Sequence, residues 1–68
     1  MEDWKNRLIE EEANLSEKIA KLESFLKSEN YDTLISLDKK DLKEQLLYMR
    51  HYRMVLRRRM TRHELIEH

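Results

Sequence analysis

Apolar residues recur every three or four positions in the first half of the chain, a pattern typical of one face of an α-helix. The repeat predicts a first helix from about residue 2 to residue 28. One polar gap interrupts it, where Glu11 and Glu12 occupy the expected apolar position. The stripe itself consists of Trp4, Leu8, Leu15, Ile19, Leu22 and Leu26.

A second stripe with the same spacing predicts a second helix from about residue 38 to residue 66. Arg53 interrupts this stripe, and its apolar members are Leu42, Leu46, Met49, Leu56 and Met60. Residues 28–37 connect the two helices and contain Ser28, Asn30 and Asp32, whose side chains compete with helix by bonding to nearby backbone. Since glycine is absent, we expect Asn30 to provide any left-handed cap there.

These two helices predict an all-α fold, an antiparallel two-helix hairpin that forms one domain over residues 1–68. Packing the stripes around the short connection places Leu22 opposite Leu46 and Leu8 opposite Met60. The polar gaps of the two helices then fall at nearly the same level. We therefore expect an internal salt bridge between Glu12 and Arg53 that fixes the register of the hairpin.

The second helix has more apolar surface than one partner helix can cover. A further row contains Leu47, Tyr48, Tyr52 and Val55, with Met54 on the remaining side. A chain of 68 residues has a small core, and it has no cysteine for disulfides. Self-association into a homo-oligomeric helical bundle is the economical prediction.

A net charge of zero conceals a strong separation of charge along the chain. Residues 1–49 have eight Lys or Arg against twelve Asp or Glu, whereas residues 50–63 have six arginines and no acid. One interpretation is that the arginines pair with the acidic first helix. The other is a phosphate-binding patch, because arginine offers a planar fork that fits phosphate. The candidate phosphate contacts are Arg53, Arg59 and Arg62, and the candidate stacking partners for a base are Tyr48, Tyr52 and Trp4.

Several other kinds of chemistry find no support in the sequence. There is no Ser-His-acid pattern, Gly-rich phosphate loop or pocketed carboxylate pair, so we expect no enzyme and no cofactor. His63 and Glu67 have a spacing that can ligate zinc, but no third ligand is specified, and no metal site is predicted. No apolar run is long enough to span a membrane, and no signal peptide opens the chain, so we expect an intracellular protein.

Two macromolecular partners compete with a small ligand for the arginine-rich helix. A module that inhibits or adapts a host protein would use the same basic face. A DNA-binding dimer would insert this helix into the major groove. Against DNA, the arginines alternate with apolar residues that the fold needs, and the overall charge is not basic.

The order of apolar and polar residues resembles that of a family of short bacteriophage proteins catalogued as crAss-phage-related. The resemblance covers about residues 3–60. In the first helix it rests on W-x-x-R-L-x-x-E and L-x-x-K-I-x-K-L-x-x-F-L, which here are Trp4, Arg7, Leu8, Glu11, Leu15, Lys18, Ile19, Lys21, Leu22, Phe25 and Leu26. In the second helix it rests on Leu42, Gln45, Leu46, Met49, Tyr52, Leu56 and Arg59. The family usually ends with fewer arginines than this chain.

The resemblance implies a phage origin and an action in the cytoplasm of the bacterial host, and it brings no catalytic motif. By analogy, small oligomeric phage proteins with basic, aromatic-lined interface pockets are similar to sponges for immune signals. Such sponges bind cyclic nucleotides or cyclic ADP-ribose derivatives. The resemblance thus implies a homo-oligomer that sequesters a small phosphorylated nucleotide.

Overall fold

The computed structural model of the protein describes residues 3–65, which form three helices and no strand. Helix α1 spans Asp3–Leu26, the short helix α2 spans Glu29–Asp32, and helix α3 spans Ser36–Arg62. The predicted all-α fold is confirmed. The predicted start of the first helix at residue 2 lies outside the described residues. Helix α1 ends two residues before the predicted boundary at 28, and α3 ends before the predicted residue 66.

Helices α1 and α3 pack against each other as an antiparallel pair in a body of 48 × 21 × 15 Å. Both predicted stripes supply the core, and Ile19 and Leu56 are its fully buried members. Trp4 contacts His63 at one end of the pair, and Glu23 contacts Arg50 nearer the connection. The buried residues are Leu8, Leu15, Ile19, Leu46, Leu56 and Met60.

The connection between the long helices, where no helix was predicted, contains one helical turn, α2. The Ser28 hydroxyl donates to the Phe25 carbonyl at 2.6 Å, which satisfies a backbone group at the end of α1. Asn30 lies within α2, so it is not the left-handed cap that we predicted. The Tyr31 hydroxyl is buried without a hydrogen-bond partner among the described residues.

A left-handed residue at position 64 ends helix α3. Glu64 has φ of 59°, its amide donates to the Thr61 carbonyl, and the Leu65 amide donates to the Met60 carbonyl at 2.8 Å. This is the Schellman pattern, in which two amides beyond the helix satisfy two of its last carbonyls. Leu65 also packs against the core, and this contact fixes the chain where it leaves the helix.

We expect Glu64→Gly to stabilise the protein by about 1 kcal/mol. A residue with a Cβ pays roughly 1 to 2 kcal/mol in the left-handed region, and glycine avoids this cost but loses some entropy on folding. Urea denaturation of the two proteins at equal concentration measures the difference. Glu64→Ala, which keeps the Cβ, is the control and should gain nothing. Equal gains for Gly and Ala would show that the glutamate charge, and not the backbone, is the cause.

None of the helices described over residues 3–65 combines the length and the apolar character that crossing a membrane requires.

Candidate functional site

The arginines of α3 divide into two groups according to their partners. Arg50 pairs with Glu23, and Arg57 Nε lies 2.9 Å from Glu12 Oε2. The other four, Arg53, Arg58, Arg59 and Arg62, form no ion pair within the described part of the chain. Pairing with the acidic helix, one of the two interpretations of the arginine run, therefore accounts for only part of it.

The predicted salt bridge between Glu12 and Arg53 is corrected by the structure, which gives Glu12 the partner Arg57. In the observed register Glu12 lies opposite Arg57, one helical turn beyond Arg53 along α3. The Ser16 hydroxyl also donates to Glu12 at 2.8 Å. Only 15% of the Glu12 side chain is exposed, whereas half of the Arg57 side chain is.

The pKa of Glu12 is lowered by its surroundings. Burial alone would raise this pKa, but the hydrogen bonds from Ser16 and Arg57, with the charges of Arg57 and Arg53, outweigh it. The folded state therefore favours the ionised carboxylate. Its contribution to stability is fully present above pH 4.5, the ordinary value for a glutamate, and is lost as the pH falls through the lowered pKa.

We expect Glu12→Gln to lower the free energy of unfolding at pH 7 by about 1 kcal/mol, a modest value because Arg57 is half exposed. The variant should also lose less stability than the wild type between pH 5 and pH 3, roughly the range in which carboxylates titrate. Thermal denaturation across this range measures both effects. Glu17→Gln removes an exposed pair with Lys21 and is the control. Identical losses of stability between pH 5 and pH 3 for the wild type and Glu12→Gln would contradict the assignment of the lowered pKa to Glu12.

Arg53 is half-buried and faces the acidic side of the hairpin. The pKa of Glu23 is lowered mainly by the hydrogen bond from Arg50, and the charge of Arg53 lowers it further. The charge of Arg53 also contributes to the lowered pKa of Glu12. Arg53 thus lies where it balances two carboxylates of its own chain. Arg59 lies at a different place on α3, where its charge opposes the rise in the pKa of Tyr52.

The two candidate tyrosines lie on the surface of the hairpin and not in its core. Tyr48 is 66% exposed and Tyr52 is 45% exposed. The Tyr52 hydroxyl donates to Glu11 Oε1, and this hydrogen bond raises the pKa of the tyrosine, with Arg59 acting in the opposite direction. The bond holds the Tyr52 ring in place beside Arg59. Of the predicted site, the structure therefore places Tyr52 near Arg59, whereas Tyr48 lies eleven residues from Arg59 along α3.

An open groove of about 500 Å³ runs beside the tyrosines. Its lining residues are Asp41, Glu44, Gln45, Tyr48, Met49 and Tyr52. Two carboxylates and no arginine face this groove, so it does not by itself attract a phosphate. The two acids were not predicted as site residues, although Asp41 and Glu44 precede Tyr48 by seven and four residues and so share its helix face.

Trp4 is separated from the tyrosines. Its ring contacts the His63 ring edge-on, with centroids 4.7 Å apart and planes at 78°, and Lys5 Nζ lies 5.5 Å from its centroid. Position 63 lies roughly 22 Å along α3 from Tyr48, at 1.5 Å per residue. One small ligand cannot touch both, so within one chain Trp4 does not share a site with Tyr48.

No group of three His, Asp or Glu side chains that could hold a metal ion occurs among residues 3–65. Glu67, which the spacing with His63 had suggested as a ligand, lies outside the described residues.

The sequence model of a protein family described as Sequestin matches residues 2–62 of the chain. The match covers both long helices, their connection and all the candidate residues, from Trp4 to Arg62. Comparisons with curated proteins and with solved structures give no match. The resemblance to crAss-phage-related proteins stays a prediction.

Proposed function

Because this chain belongs to the Sequestin family, we propose that it acts by binding alone and sequesters a small phosphorylated nucleotide. The family name denotes sequestration. The proposed ligand class is a cyclic nucleotide or a cyclic ADP-ribose derivative that serves as an immune signal. The proposed setting is the cytoplasm of a bacterial host, where a phage-encoded copy would antagonise anti-phage defence.

One observation carries this proposal: arginines without an ion-pair partner among residues 3–65 share one face of α3 with exposed tyrosines, and Arg59 lies about 10 Å along the helix from Tyr52. Arg59 and Arg62 have no ion-pair partner among the described residues and are exposed. They lie three residues apart and share a face, as two contacts to one phosphorylated group require. Arginines that served only to balance the acidic helix would be paired, as Arg50 and Arg57 are.

The chemistry of this face fits the two halves of a nucleotide. A guanidinium fork binds phosphate oxygens through two parallel charged hydrogen bonds. A tyrosine ring stacks on a base, and such stacking contributes about 1–3 kcal/mol per base. Trapping a signal needs only affinity and copies of the protein, so the lack of catalytic motifs in the sequence agrees with the role. The site would lie at a subunit interface, in a homo-oligomer.

A second candidate function is binding to a host protein through a different side of α3. Leu47 and Met54 are about half exposed and, with Arg50 and His51, line a small groove of about 180 Å³. Apolar side chains rimmed by basic ones suit an acidic, partly apolar protein surface. This side carries no tyrosine, so such a partner would bind independently of a nucleotide.

Native mass spectrometry of the protein incubated with cyclic di-AMP or with cyclic ADP-ribose tests the proposal. We expect an oligomer that carries the mass of one of these probes in fixed stoichiometry, with binding that survives moderate salt. An oligomer that remains empty with both probes, and after incubation with a nucleotide extract of defence-active cells, would overturn it. Retention of one host protein from a lysate of those cells would then favour the second candidate.

A further inference from the structure

One exposed face of α3 has acids at one end, aromatic and aliphatic residues in the middle and arginines at the other end. We call it the tyrosine face. Its members recur every three or four residues and so share one side of the helix. They are Asp41, Glu44, Tyr48, Tyr52, Val55, Arg59 and Arg62, all of them exposed.

The charges on the tyrosine face are arranged symmetrically with inverted sign. Glu44 comes four residues before Tyr48, and Arg59 comes four residues after Val55. In the same way, Asp41 comes seven residues before Tyr48, and Arg62 comes seven residues after Val55. Turning the helix end for end therefore replaces each acid by an arginine, so the face is complementary to a reversed copy of itself.

We propose that the tyrosine face binds a second copy of the same chain, with the two α3 helices antiparallel and crossing near Tyr52. A two-fold axis there places the acidic half of each helix against the arginine half of the other. Packing the helices in parallel would instead place Glu44 against Glu44 and Arg59 against Arg59, and like charges in direct opposition destabilise an interface. Charge thus selects the antiparallel arrangement.

The apolar centre of the face supplies the area that such a dimer buries. Tyr48, Tyr52 and Val55 are 66%, 45% and 42% exposed in the single chain. Six apolar residues are buried among residues 3–65, so an interface over these three enlarges a small core. Leu47 and Met54 lie off this face and remain available to another partner.

The antiparallel dimer also completes the groove beside the tyrosines, and this step rests on the proposed function. The groove offers two tyrosine rings, the Gln45 amide and two carboxylates, but no cation. Arg59 and Arg62 of the second copy approach it from across the interface, and a guanidinium that pairs with Glu44 or Asp41 retains further N–H donors for a phosphate. One copy then provides groups that stack on a base and hydrogen-bond its edge or the ribose hydroxyls, and the other copy provides the phosphate contacts.

An exchange of charges tests the dimer. We expect Glu44→Arg or Arg59→Glu alone to weaken self-association roughly 100-fold, because each places like charges together at both ends of a symmetric interface. The double variant, Glu44→Arg with Arg59→Glu, should associate nearly as well as the wild type. Sedimentation velocity over a range of concentrations measures the dissociation constants, and circular dichroism verifies that every variant is helical. Glu10→Arg, an exposed reversal on α1, is the control.

The outcomes of the charge exchange are decisive in both directions. Loss of association in both single variants and recovery in the double variant establishes the antiparallel contact. A wild type that is monomeric at every concentration overturns it. Single variants that associate like the wild type, or a double variant that does not recover, overturn it as well.

Mixing two defective proteins tests the shared site. Tyr48→Ala and Arg59→Ala should each bind cyclic di-AMP or cyclic ADP-ribose poorly. A heterodimer of the two has one groove with both defects and one with neither. We therefore expect one bound nucleotide per heterodimer in native mass spectrometry.

A site contained within one chain would show no recovery in that mixture, which would overturn the shared site while leaving the proposed function intact. A wild type that binds neither nucleotide would overturn the proposed function and the shared site together. The charge-exchange experiment would still test the dimer independently.

Discussion

The Arg59→Ala variant is expected to bind cyclic di-AMP or cyclic ADP-ribose roughly 10- to 100-fold more weakly than the wild type, because it loses a charged hydrogen bond to phosphate. Arg59 forms no ion pair among residues 3–65, so its removal leaves no acid of the described hairpin without an intrachain partner. The hairpin should remain as stable as before. Isothermal titration calorimetry, at a protein concentration at which both proteins are oligomeric, measures the two affinities.

Arg50→Ala is the matched control for this prediction. It removes an arginine from the same helix, but one that pairs with Glu23 on the other side of the hairpin. We expect nucleotide affinity to be unchanged and stability to fall slightly. Equal losses of affinity for the two variants would show that overall positive charge, and not the tyrosine face, governs binding.

Truncation of Leu56 should cause the largest loss of stability. This side chain is fully buried between the long helices, and Leu56→Ala leaves a cavity in a core that has six buried apolar residues in the described part of the chain. The expected loss is about 3 kcal/mol. Stability on the order of 0.05–0.15 kcal/mol per residue gives a domain of this size about 3 to 10 kcal/mol, so the substitution removes between roughly a third and nearly all of it.

Leu37→Ala makes the same chemical change in the same helix at a position that is 70% exposed. It should lower the free energy of unfolding by less than about 0.5 kcal/mol. Circular dichroism during urea denaturation compares the two variants at one protein concentration, since association would add to apparent stability. A loss for Leu56→Ala no larger than that for Leu37→Ala would mean that α1 and α3 do not pack as described.

The hairpin could be predicted from the sequence because its two stripes are regular and its chain is short. Two amphipathic helices joined by a brief connection have one economical way to bury their apolar faces. The polar gaps at Glu12 and Arg53 fall on side chains that the structure leaves half-buried. They did not reveal that Glu12 would take Arg57, because several long arginine side chains can reach one carboxylate and the register selects among them.

The ends of the helices and the groove could be predicted less well. Glu64 in a left-handed conformation has no sequence signal, since glycine and asparagine are the usual residues there. Asp41 and Glu44, the acids beside Tyr48, cannot be told in the sequence from ordinary surface charges, because their role depends on what packs over them. In the single chain Tyr48 and Tyr52 lie on an open groove, which the proposed dimer would enclose.

The spacing of the contacts along the hairpin has a consequence for the order in which the chain folds. Glu23 and Arg50 are separated by 27 residues, whereas Glu12 and Arg57 are separated by 45. Contacts near the connection close the shorter loop, and once they form, each later contact has only a few more residues to order. Trp4 and His63 meet at the open end of the hairpin and so join last. The fluorescence of this single tryptophan would therefore report the closing step of folding and the first step of unfolding.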